Sequence, residues 1–206
     1  MVFKKNILWD YFILSSRFLI GFIFISYGYS KLINNQFGLN EVELSKTLKA
    51  TSLFRLSWYL FDQQPFKSFI GISQMICGLL LIYNRTLILG AFIFLPIALN
   101  ILVIDLTVMP SPMSGIFAFR LSFYIILDLL ILYHYKEKIL IIWKTMTDKV
   151  NTRHKFSIWW YLLLPISAII LEIIGALPSG IINAIKNPDS IKETFSIINK
   201  IIKDIF

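Results

Sequence analysis

Charge is what this sequence has least of. Only 16% of its 206 residues are Asp, Glu, Lys or Arg, whereas a water-soluble domain carries about 25%. That shortage argues against a soluble enzyme, a disordered tail and a nucleic-acid module. Cysteine is nearly absent. Cys77 stands alone in an apolar run, so an internal disulfide, a CxxC couple and a Cys-rich metal site are excluded. The two histidines, His134 and His154, cannot form a bis-histidine haem inside a membrane, and no metal site is expected. There is no Gly-rich phosphate loop and no nucleophile elbow. No catalytic residue is assigned, and the chain reads as having no activity of its own.

What is present is apolar. Hydrophobic residues make up 57% of the chain, and mean hydropathy is +0.72. The class this leaves is all-α, a polytopic transmembrane helical bundle. A hydrocarbon core ~30 Å thick takes about 20 helical residues to cross. Five runs approach that length: Trp9 to Ile33, Lys67 to Tyr83, Thr86 to Leu106, Ile116 to Tyr135 and Ser157 to Pro178. The first is too long for a signal-peptide core and carries Arg17 inside it, so it reads as a retained helix.

The net charge of +8 reads as topogenic. With the N-terminus in the cytoplasm, Lys4, Lys5, Arg85, Lys136, Lys138, Lys144, Lys149, Arg153 and Lys155 fall inside. Lys46, Lys49 and Arg55 fall outside, the orientation the positive-inside rule favours. Richness in Ile, Phe, Lys and Asn suggests a bacterial source, hence the cytoplasmic (inner) membrane. Residues 1–135 then form a four-helix core, with an outer interfacial segment at 34–65. In that segment Asn40 and Ser52 are candidate helix caps; the helix after Ser52 runs through Phe54, Trp58, Tyr59 and Phe61, and the segment reads as an interfacial or re-entrant lid on the outer face. Residues 136–156 form a basic cytoplasmic loop, and 157–206 hold a fifth helix and a tail. Ile191, Phe195, Ile198, Ile202 and Ile205 make one apolar stripe on that tail, an amphipathic helix for a membrane surface or a partner.

Polar groups at membrane depth face the bundle interior or mark function. At 100° per residue, Arg17, Gly21, Phe24, Gly28 and Lys31 share one arc of the first helix. Gly71, Gln74, Gly78 and Arg85 share an arc of the second, and Arg120, Tyr124 and Asp128 one of the fourth. Gly21, Gly28, Gly71 and Gly78 suit close helix packing. Counted along the helices, Arg17, Gln74 and Asp128 fall at one depth, which predicts an Arg17–Asp128 contact, direct or through Gln74. Lys31, Asn100, Asp105 and Arg120 approach a second level. These eight residues, Tyr124 among them, are either packing glue or the lining of a polar pocket for a small molecule.

The order of motifs resembles a known family. The first helix reads Arg17-Phe-Leu-Ile-Gly21 and Ser26-Tyr-Gly28-Tyr-Ser-Lys31-Leu32. The second reads Phe69-Ile-Gly71, Gln74 and Gly78-Leu-Leu-Leu81, followed by Arg85-Thr86 and Gly90-Ala91. The third ends Asn100-Ile-Leu-Val-Ile-Asp105. Over about residues 9 to 135 this resembles the DoxX-like family of small four-helix bacterial membrane proteins. The resemblance implies the four-helix core and work close to a quinone. Where the family often carries a glutamate on the second helix, this chain has Gln74. The expected function is an accessory or assembly subunit that binds a quinone or lipid and works in the bilayer with a membrane-protein partner. A component of a quinone-linked oxidoreductase and a carrier of a small apolar or weakly acidic solute are the alternatives.

Overall fold

The computed structural model describes residues 7–34, 36–38, 45, 47, 50–149 and 154–186. The described residues are helical, with no strand among them. They fall into two compact units, divided after Asp148.

The first unit holds α1 (Ile7–Leu32), α2 (Leu53–Phe61), α3 (Phe66–Ile82), α4 (Leu87–Val108), α5 (Met113–His134) and α6 (Lys136–Thr147). The second holds α7 (Ile158–Lys186). Helices α1, α4, α5 and α7 are each long and apolar enough to cross a membrane, and the bent pair α2–α3 can supply a fifth span. The chain is therefore a membrane protein with an all-helical fold. The expected fifth span is present, but its helix runs past Pro178 to Lys186. Two internal prolines are tolerable there because apolar surroundings offer the backbone no better alternative than helix. The stretch 136–156, read from its charges as a loop, contains α6. The amphipathic tail expected at 189–206 and the cap expected at Asn40 lie outside the described residues.

Short turns join α3 to α4 and α4 to α5, and the long connection through α2 returns α3 antiparallel to α1. α1 packs on α3, α3 on α4, α4 on α5 and α5 back on α1, so the four helices close a ring. The core is apolar and aromatic: Ile13, Ile20, Phe24, Leu81, Phe94, Leu127 and Ile131 are all nearly inaccessible. Phe24 and Phe94 meet at 4.6 Å across it. Outward positions such as Phe22, Ile76, Leu99 and Ile126 are exposed and apolar, as a bundle dissolved in lipid requires.

The α1–α3 seam explains four glycines. A Cβ on Gly28 would stand 2.4 Å from the Gly71 carbonyl oxygen, and one on Gly78 2.5 Å from that of Gly21. Side chains at these places would force the two backbones apart. The same contacts set the register, with Gly28 opposite Gly71 and Gly21 opposite Gly78.

Two residues past the end of α1, Asn34 takes a φ of 63°, the left-handed stop that Asn tolerates better than most residues. Ser52 caps α2 by accepting from the Arg55 amide at 3.4 Å. α2 and α3 meet at 80°, which lays α2 across one end of the ring, against α4. Lys67 holds this corner. Its ammonium is buried and donates to Asp62 at the end of α2 and to Asn34 past the end of α1.

Candidate functional site

Beneath α2 lies a cavity of about 280 Å³, lined by residues of α1, α2, α3, α4 and α5. Its polar wall is Tyr27, Ser30, Lys31, Gln36, Gln74 and Asp105. Its apolar wall is Phe54, Trp58, Ile101, Met109, Met113 and Phe117. Two smaller spaces adjoin it at Asp105. One extends under Phe37 and Phe61, the other toward Arg120 and Tyr124.

Each polar group arrives by helix phase. Lys31 is the last inward residue of α1, one turn beyond Gly28. Its ammonium donates to Gln36 Oε1 at 2.8 Å and lies 5.4 Å from the centre of the Phe37 ring. Asp105 is the last inward residue of α4, on the arc of Ala91, Phe94 and Ala98. Its carboxylate has no hydrogen bond or ion pair among the described residues and is turned to the cavity. Gln74 is fully buried, and neither its Nε2 nor its Oε1 has a hydrogen-bond partner among the described residues. An amide in that position carries a desolvation cost of about 1–3 kcal/mol. A group entering the cavity could supply both missing bonds.

Arg120 is largely exposed, yet its guanidinium reaches inward. Nε donates to the Tyr124 hydroxyl at 3.2 Å, and Nη2 donates to the Tyr27 hydroxyl. The pair of tyrosines is thereby held at the cavity edge. Above them an aromatic cluster forms the roof. Trp58 lies 4.2 Å from Phe54 and 5.7 Å from Phe37, ring centre to ring centre.

The structure therefore gathers Lys31, Gln74, Asp105, Arg120 and Tyr124 at the α2 end. Three other residues singled out in the sequence go elsewhere. Asn100 is exposed and lines none of these spaces. It sits five residues from Asp105, about 140° away around the helix, so the two cannot share a face. Arg17 does not contact Asp128. Its Nε donates to the Leu81 carbonyl at 3.3 Å, and its Nη2 to Ile82 O at 3.0 Å and Asn84 Oδ1 at 2.7 Å. The last carbonyls of a helix lack intrahelical donors and carry partial negative charge. Arg17 answers that need at the end of α3. Asp128 is fully buried, with neither oxygen hydrogen-bonded among the described residues. Arg85, expected on the inner arc of α3, is exposed in the turn beyond it, because α3 stops at Ile82. The expected common depth of Arg17, Gln74 and Asp128 fails with it. The seam register places Gln74 within a turn of the Gly28–Gly71 contact and Arg17 at the far end.

Sequence reasoning missed Tyr27, Ser30 and Gln36 as cavity lining, and it read Phe54 and Trp58 as part of an outer lid without placing them over a cavity. Tyr27 had a readable signal, four residues before Lys31 on a neighbouring row of α1. The roof helix and its cap were readable, but its place over the cavity was not, because that depends on the bend between α2 and α3. No group of three or more His, Cys, Asp or Glu placed to hold a metal occurs among the described residues.

The chain is similar to the uncharacterized protein YwoB of Bacillus subtilis (strain 168), with 36% identity over 90 residues. That match covers 43% of this chain and 57% of YwoB, so the chain spans little more than half the length of its relative. No family model matches. No solved structure matches.

Proposed function

We propose that this chain is a DoxX-like accessory subunit of the bacterial cytoplasmic membrane whose cavity under α2 binds the polar head of an amphipathic small molecule, a quinone in the first place. The observation that carries this reading is Gln74: a buried amide with both hydrogen-bonding ends open, lining a cavity with Lys31 and Asp105. A quinone head brings carbonyl acceptors for Lys31 and the Gln74 Nε2. Its reduced form brings hydroxyl donors for Asp105 and the Gln74 Oε1. The aromatic and methionine walls suit a flat ring and the start of an apolar tail. Redox chemistry, in this reading, belongs to a membrane partner. The cavity faces the outer side if the exposed basic residues at the opposite end, Arg85, Lys136, Lys138 and Lys144, follow the positive-inside rule.

The test is equilibrium binding of short-chain ubiquinone and menaquinone analogues to the purified full chain in mild detergent. Submicellar phosphatidylglycerol serves as the lipid competitor. Binding of a quinone that Gln74→Leu and Asp105→Asn each weaken about tenfold is the expected result, the size of one lost buried hydrogen bond. Binding of the phospholipid alone would move the reading to a lipid. Binding of neither would remove the cavity from any ligand role.

A further inference from the structure

A second polar cavity, of about 280 Å³, opens at the other end of the ring, between the start of α1 and the end of α5. It is lined by Asp10, Arg17, His134 and Tyr135, with Ile13 and Leu14 as its apolar side. We propose that this cavity is a binding site for a phosphate–ammonium zwitterion, the headgroup chemistry of phosphatidylethanolamine. The proposal is independent of the cavity under α2 and shares no residue with it.

The order of charges along the cavity carries the argument. Asp10 lies in the first turn of α1, where Trp9 and Tyr135 sit as interfacial aromatics do. Arg17 lies seven residues further, about 10 Å deeper along the axis, on the same face. Negative charge therefore stands at the mouth and positive charge toward the hydrocarbon. A zwitterionic phospholipid is built in the complementary sense. Its phosphate is attached on the acyl-chain side and its amine reaches toward water.

The polar atoms have matching needs. Asp10 Oδ1 is enclosed and has no hydrogen-bond partner among the described residues. It requires a donor, which a primary ammonium supplies. His134 Nδ1 accepts from the Trp9 indole at 3.0 Å. An indole N–H only donates, so Nδ1 is unprotonated and the ring presents Nε2–H. That nitrogen stands 3.8 Å from Asp10 Oδ1, within ion-pair reach but too far for a hydrogen bond, so its N–H has room to donate to a phosphate oxygen entering between them. Arg17 spends Nε and Nη2 on the end of α3. Its Nη1 has no bond among the described residues and belongs to a side chain that lines the cavity. A simple anion would meet Arg17 and His134 but leave Asp10 unanswered and repelling it. A simple cation would meet Asp10 and be opposed by Arg17.

The experiment uses the full chain in nanodiscs of phosphatidylcholine doped at equal mole fraction with phosphatidylethanolamine or phosphatidylglycerol. Retained lipid is quantified by native mass spectrometry. Free phosphoethanolamine is titrated separately to distinguish a soluble source of the same headgroup from a lipid. Phosphatidylethanolamine should be retained about tenfold over phosphatidylcholine, whose methylated amine has no N–H for Asp10. Asp10→Asn should bring that preference to within about twofold, and Asp10→Glu should keep most of it. Asp10 is half-exposed, so neither change threatens the fold. Equal retention of all lipids, preference for phosphatidylglycerol, or an Asp10→Asn protein that keeps its preference would each overturn the proposal. Binding of free phosphoethanolamine as tight as the lipid's would support the headgroup site and assign it to a solute.

Discussion

Single residues in this bundle divide by what their polar atoms touch. Arg17 is buried, and through Nε and Nη2 it closes the end of α3. Asp128 is buried with no hydrogen-bond partner among the described residues. The two occupy separate networks, so their substitutions should add. Arg17→Gln should cost about 2–3 kcal/mol, because it strips charge-assisted bonds from helix-end carbonyls. Asp128→Leu, close in shape and without orphaned oxygens, should be neutral or stabilise by about 1–3 kcal/mol. Thermal unfolding in detergent of both single variants and the double variant checks this, and a coupling beyond ~0.5 kcal/mol would restore the pairing that the sequence suggested. Gln74 follows the same logic with a functional consequence. Gln74→Leu should raise the melting temperature of the ligand-free protein while reducing the ligand-induced rise. A merely structural glutamine would show a fall in the first and no change in the second.

Two elements act as wholes. The α1–α3 seam works because four glycines bring backbone to backbone. Gly28→Ala should destabilise by about 1–3 kcal/mol through overpacking, since the added methyl meets a carbonyl oxygen rather than a flexible side chain. Gly115→Ala in α5 is the control. Nothing lies within 4 Å of its added Cβ, and the alanine should be neutral or gain up to about 1 kcal/mol from helix propensity. Denaturation of the two variants side by side separates packing from propensity. The other element is the α2 roof, whose phase was readable in Phe54, Trp58 and Phe61 and whose cap was readable in Ser52. The 80° corner that lays it over the cavity was not readable. It depends on Lys67 reaching Asn34 and Asp62 from three separate segments. Trp58→Ala should leave the bundle folded and speed ligand release several-fold, measured as the dissociation rate of a bound quinone analogue.

At the scale of the molecule, the ring of α1, α3, α4 and α5 closes on itself, and the unit ending at Asp148 contains its whole described core. A chain cut after Asp148 should therefore insert, resist mild proteolysis and keep its response to the ligand of the α2 cavity. Sedimentation and a thermal-shift titration of the truncated protein against the full chain test this, and loss of folding would mean that residues beyond Asp148 complete the core. The two polar cavities then stand at opposite ends of one small bundle, with an apolar core between them.

Composition and periodicity alone determined the all-helical membrane class, four of the five apolar helices to within a few residues, and the glycine faces. These follow from local rules, the length of hydrocarbon to be crossed and 100° of turn per residue, so they need no partner to be read. Phase also told that Lys31, Gln74 and Tyr124 point inward, and depth placed Asp105 near the level of Lys31. It could not tell which inward groups meet, because depth along one helix becomes a contact only after the register to its neighbours is set. The Gly28–Gly71 and Gly21–Gly78 contacts set that register, and they carried Arg17 to the end of α3 and Gln74 to the cavity under α2. They left Asp128 with no hydrogen bond to any described residue. Tertiary structure alone made the roof over the first cavity and the charge order of the second, since both join residues far apart in the chain through backbone bends and helix ends that no local pattern encodes.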